Sequence, residues 1–199
     1  MVTGGYTAEQ FVHAMINLVE TETDQEKIID QGSGLMKQLI SNPNCIPPEY
    51  RVAVRSIPPE LKKPNRGGYV LHRDPNGGLL INVVVLGPGA HVPPHNHGTW
   101  SIVGVMQGGL QETRFRRVDD GSRPGYGQLE HDDVIFTKPG EVSIIRPNVN
   151  DIHQVDNPGN ETTVEIHAYG VMPTGEDHVQ FNLETGRTTP IPSHKMDNE

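Results

Sequence analysis

From Tyr69 onward, glycine and proline cut the chain into short runs rich in β-branched residues, and this punctuation restricts the folds open to it. Residues 79–86, Leu-Leu-Ile-Asn-Val-Val-Val-Leu, end at Gly87-Pro88-Gly89, and residues 100–106 run toward Gly108-Gly109. Runs of this length bounded by Gly and Pro read as strands closed by turns, and a series of them builds an antiparallel sandwich or barrel. Further strands are expected at 111–117, 133–137, 142–146, 153–155 and 162–169.

The amino-terminal part has a different period. Thr7-Ala8-Glu9-Gln10 has capping-box spacing, and Phe11, Ala14, Met15 and Leu18 follow at helical intervals. A second helical pattern covers 24–40 and is weakened by Gly32 and Gly34, which leave open a break into two. Six prolines between Pro43 and Pro64 then disfavour helix and central strand alike. The expected organisation is a helical segment at 1–48, a Pro-rich connection at 49–68, a barrel at 69–183 and a polar tail at 184–199.

A net charge of -9 gives no footing for nucleic acid, which calls for a basic face. The single cysteine, Cys45, excludes an internal disulfide and fits a reducing compartment. No run approaches the ~20 apolar residues of a membrane span, and residues 1–10 do not read as a secretory signal. A cytoplasmic protein without a membrane partner is expected. Open barrel edges would allow pairing into a homo-oligomer.

Chemistry concentrates in Gly89-Ala90-His91-Val92-Pro93-Pro94-His95-Asn96-His97 and in His153-Gln154-Val155-Asp156-Asn157. On extended backbone, residues two apart share a face, so His95 and His97 can grip one ion, with His153 arriving from a distant strand. Along 163–169, Glu165, His167 and Tyr169 alternate with Val164, Ile166 and Ala168. That polar face is either solvent or the inside of a barrel. His91 reads as a surface or supporting residue, and His13, His72, His131, His178 and His194 as solvent-exposed. Arg114, Arg116 and Arg117 read as a solvated face, and Trp100 as core or pocket wall.

Gly89, His95-x-His97 and Gly108, followed by Pro139, Pro147 and His153-x-x-x-Asn157, resemble the two motifs of the cupins. Ser101 stands where most cupins carry a glutamate ligand, which points to the three-histidine branch. Residues 107–115 (Gln-Gly-Gly-Leu-Gln-Glu-Thr-Arg-Phe) and the strand Val164-Glu165-Ile166-His167-Ala168-Tyr169 are similar to segments of the cysteine dioxygenases, a likeness covering roughly 69–186. The resemblance implies a mainly β fold, the cupin double-stranded β-helix or jelly-roll barrel, behind a small N-terminal helical segment. It implies Fe(II) held by His95, His97 and His153, with Tyr169 as active-site phenol and His167 supporting it.

Three departures bear on substrate. The cysteine that crosslinks to the tyrosine in the animal enzymes has no counterpart, since Ser101 and Ile102 lie there. The family's carboxylate-holding arginine falls near Gly67, Gly68 or Tyr69, leaving Arg66 or Arg73 as substitutes. Glu165 replaces a serine, and Trp100 completes the residues assigned to the substrate pocket. Three neutral imidazoles leave a ferrous ion's charge uncompensated and open to a thiolate and dioxygen. The expected reaction is dioxygenation of a small organic thiol other than strictly cysteine to its sulfinate, with the thiol and O2 as partners. Two alternatives stay open: carbon-carbon cleavage of a diketone-like substrate, and a non-catalytic cupin binding zinc or another metal and a small ligand.

Overall fold

The computed structural model describes residues 5–52, 66–173 and 178–192. Helix α1 (Ala8–Thr21) starts at the expected capping box, in which Thr7 Oγ1 accepts the Gln10 N–H (3.2 Å) and Gln10 Oε1 accepts the Thr7 N–H (2.9 Å). Helix α2 (Gln25–Ile40) is capped by the Asp24 carboxylate and runs unbroken through both glycines. Packing explains Gly32. A Cβ there would stand 2.7 Å from Ile102 Cδ1, and one on Gly104 would stand 2.6 Å from Met36 Cγ. The missing side chains let α2 lie directly on the sheet.

Eleven strands follow among the described residues: β1 (Arg66–Arg73), β2 (Leu80–Leu86), β3 (His91–His95), β4 (Ser101–Gln107), β5 (Leu110–Arg117), β6 (Leu129–Thr137), β7 (Val142–Ile145), β8 (His153–Asp156), β9 (Thr163–Tyr169), β10 (Val179–Phe181) and β11 (Thr188–Pro190). One sheet has the order β1-β2-β9-β4-β7 and the other β11-β10-β3-β8-β5-β6. The eight strands β2 to β9 pass between the sheets at every step except β5 to β6, the order of a jelly roll, which makes the barrel a double-stranded β-helix as expected.

The first sheet is buried on both faces. Ile81, Val83, Val85, Ile102, Val164, Ile166 and Ala168 pack under the helices with Phe11, Met15, Met36 and Leu39. The opposite face lines the barrel, where Leu86, Val103, Val105, Leu110, Ile145 and Val155 close one part of the interior. Covering by the helices explains why every residue of β9 is buried and why its polar face looks into the barrel instead of into water.

Several boundaries differ from the sequence reading. Strand β1 begins at Arg66, within the stretch assigned to the connection, because backbone pairing with β2 continues through Gly67 and Gly68. Strand β3 contains Pro93 and Pro94, which lie within the register shift between Val92 and His95 where the ladder with β8 is interrupted. The region taken as a polar tail carries β11, paired to β10 from Thr188 to Pro190. Residues 53–65 of the Pro-rich connection, and His194, lie outside the described residues. Gly104→Val should cost about 1–3 kcal/mol by forcing Met36 and Ile40 apart, read as a lower urea midpoint; an unchanged midpoint would show that α2 does not need this close approach.

Candidate metal centre

The registers of the two sheets assemble the histidines. His95, at the end of β3, is the cross-strand partner of His153, at the start of β8. His97 follows in the β3–β4 loop, and the buried Asp151 lies two residues before His153 in the loop that leads into β8. The His97 Nε2 atom lies 3.3 Å from His95 Nε2 and 3.3 Å from His153 Nε2, and all three ligand nitrogens fall within 4.8 Å of one another. Two nitrogens bound to one ion at bond lengths near 2.1 Å stand roughly 3.0–3.4 Å apart.

The other ring nitrogens set the tautomers. His95 Nδ1–H donates to the Pro93 carbonyl (2.9 Å) and His153 Nδ1–H to Glu112 Oε2 (3.1 Å), while His97 Nδ1 lies 3.1 Å from Ser101 Oγ, a hydroxyl able to accept its proton. Nε2 of His95 and His153 is therefore a bare lone pair, and that of His97 becomes one when Ser101 accepts Nδ1–H. Three lone pairs facing one another repel unless a cation lies between them, so the donor set fits a divalent metal that favours imidazole. Burial first, and then the neighbouring imidazoles, hold His95 and His97 well below the ordinary histidine pKa, keeping both rings neutral.

Glu112 is fully buried, and sequence reasoning gave it no role. Burial opposes its charge, but hydrogen bonds from His153 and Ser143 and the charges of His153 and Arg114 outweigh that, bringing its pKa to about 2. Arg114 stands 3.6 Å from the carboxylate and donates to Ser143 Oγ (3.2 Å). This arginine is thus turned inward, unlike Arg116 and Arg117, which pair with Glu130 and Asp119. The alternation of Leu110, Glu112 and Arg114 with a buried leucine at its head was the available signal.

Beside the triad, β9 presents a continuous hydrogen-bonded line. Glu165 Oε2 lies 2.7 Å from His167 Nε2, and His167 Nδ1 lies 2.7 Å from the Tyr169 hydroxyl. Tyr169 is paired with Ser101 across β4 and β9, and its ring meets that of His97 edge-on at 5.1 Å. Burial and then the Glu165 charge raise its pKa above that of an ordinary phenol.

The remaining assignments divide. Trp100 packs in the core beneath the helices, since it precedes the inward-facing Ser101 and so faces the other way. Arg73 reaches Met172 Sδ (2.7 Å), while the charge of Arg66 is felt at His95. His178, read as exposed, is half-buried, with its ring 6.2 Å from that of His95. His91 is exposed and pairs with Asp156 at 2.7 Å.

No protein-family model matches the chain. Solved structures similar to it include a Cupin 2 conserved barrel domain protein from Salinispora arenicola, at 21% identity over 53% of this chain and 75% of that one, with a TM-score of 0.39. Another is a cupin superfamily protein from Desulfitobacterium hafniense, at 14% identity over 59% of this chain and 92% of that one, with a TM-score of 0.41. A third, the DMSP lyase DddQ from Ruegeria pomeroyi, is 14% identical over 64% of this chain and 51% of that one, with a TM-score of 0.39. No helix among the described residues is long and apolar enough to cross a membrane.

Glu112→Gln should weaken metal binding about 10–100-fold while the fold persists, measured by competition with a chromogenic chelator; unchanged affinity would leave Glu112 a purely structural carboxylate. Acid should destabilise the metal-free protein. His95 and His97 refuse protons in the folded state that the unfolded chain accepts near pH 6.5, so stability falls as pH drops below that value. Urea unfolding at pH 7.5 and 5.5 reads the difference, and a flat profile would contradict the burial of neutral rings.

Proposed function

We propose that this chain is a mononuclear non-haem iron dioxygenase that converts a small organic thiol and O2 to the sulfinate. The observation that carries the reading is a neutral ligand set: three imidazoles converge through Nε2, while Ser101 occupies the position of a carboxylate ligand and only orients His97. The resemblance of residues 107–115 and 164–169 to the cysteine dioxygenases supports the same reaction. His95, His97 and His153 would hold the Fe(II), which when bound supplies a site where thiolate and dioxygen meet, in the overall change RSH + O2 → RSO2⁻ + H⁺.

The protein's own residues supply tautomers, a proton path and a dry wall. Glu112, Ser101 and the Pro93 carbonyl each hold one Nδ1–H, so no ligand ring can rotate without losing a bond. With Glu165 Oε2 as the acceptor, the proton of this contact lies on His167 Nε2, and Nδ1 is left to accept the Tyr169 O–H. The Tyr169 oxygen takes the thiol proton as its own proton passes to His167 Nδ1, and the resulting imidazolium is paired with Glu165. Leu86, Val103 and Val105 line the interior beyond this polar strip.

Iron-loaded protein supplied with a panel of small thiols should consume one O2 per thiol and place both oxygen atoms in the sulfinate, followed by an oxygen electrode and isotope-labelled product analysis. Absence of oxygen uptake across the panel, with iron bound, would contradict the reading. Tyr169→Phe should retain iron and lose most turnover, on the order of 10²-fold. Undiminished turnover would move the proton path elsewhere.

A further inference from the structure

The replacement of a serine by Glu165 introduces a buried carboxyl group that the hydrogen-bonded line satisfies on one side only. Glu165 is 1% exposed, and Oε2 is held by His167. Its Oε1 is buried with no hydrogen-bond partner. Asn82, 3% exposed on β2, leaves Oδ1 buried in the same condition.

Asn82 is the direct cross-strand partner of His167, and Glu165 opposes Val84, so all three side chains lie on the barrel-facing side of β2 and β9. Both orphaned atoms are acceptors. The third polar group of this wall, the Tyr169 oxygen, spends its proton on His167 Nδ1 and so turns lone pairs outward. A buried carboxylate oxygen without a donor costs several times what a satisfied one does, which makes this wall complementary to a hydrogen-bond donor and above all to a cation.

Resting on the thiol reading above, we propose that Glu165, backed by Asn82 and the oxygen of Tyr169, selects a thiol whose far end carries a cationic nitrogen over one that ends in a carboxylate. The ammonium group donates to Glu165 Oε1 while the sulfur faces the histidine triad. A carboxylate in the same place meets like charge at Glu165.

Two probes of matched length separate the alternatives: 2-aminoethanethiol and 3-mercaptopropionate, titrated anaerobically into the Fe(II)-loaded protein and followed by the metal's spectra. The aminothiol is expected to bind at least about tenfold more tightly, and Glu165→Gln to erase most of that preference while binding the same amount of iron. Tighter binding of 3-mercaptopropionate, or a preference that Glu165→Gln leaves intact, overturns the proposal and leaves the thiol reading standing. Failure of both thiols to perturb bound iron overturns the thiol reading itself, and the substrate assignment with it.

Nitrogen-15 NMR of histidine-labelled, zinc-loaded protein tests the wall without any thiol. A His167 ring protonated on Nε2 and bare on Nδ1 supports it. A proton on Nδ1 donated to Tyr169 overturns it, because Tyr169 would then offer its own O–H to the site.

Discussion

Three imidazole Nε2 atoms brought to one point are the constraint around which the rest of this molecule is arranged. Nε2 atoms 3.3 Å apart are repulsive neighbours in an empty site and cooperative ligands around a cation. What fixes their direction lies on the far side of each ring: a backbone carbonyl for His95, a serine hydroxyl for His97 and a buried carboxylate for His153. These partners differ in strength. Only the Glu112 contact is charge-assisted, with Arg114 3.6 Å from the same carboxylate and itself bonded to Ser143.

A polar strip of this kind can exist inside a small barrel because the hydrophobic core has been moved outside it. The helices bury the outer face of the first sheet, supplying apolar contacts that the interior of the barrel forgoes at Asn82, Ser101, Glu165 and His167. Gly32 and Gly104 bring α2 close enough to do this. Strand β9 thus carries two unrelated duties on alternate residues: Val164, Ile166 and Ala168 anchor the helices, and Glu165, His167 and Tyr169 form the hydrogen-bonded line. A one-residue slip would exchange the two faces and lose both.

The period-two alternation along 163–169 and the His-x-His pair were legible because both are local patterns on extended backbone. The β sandwich or barrel class followed from the number and spacing of Gly and Pro turns, and the capping box of α1 from four adjacent residues. Glu112 was not legible, since its meaning depends on a diagonal contact with His153 from another strand, at a separation of 41 residues. His178 was misplaced for a related reason, being brought near His95 by a short pairing of β10 with β3, whereas of the two roles open to Trp100 the parity of β4 selects the core beneath the helices. Strand β11 has no apolar run to announce it and exists because β10 offers an edge.

The charge of the ligand set decides between this account and its rivals, and X-ray absorption at the iron edge reads that set directly. For protein loaded with Fe(II) and exposed anaerobically to a bound thiol, the account predicts three imidazole nitrogens and one added sulfur as scatterers, with no protein carboxylate. An iron shell holding a protein carboxylate, or one that gains no sulfur when thiol is present in excess, would contradict it.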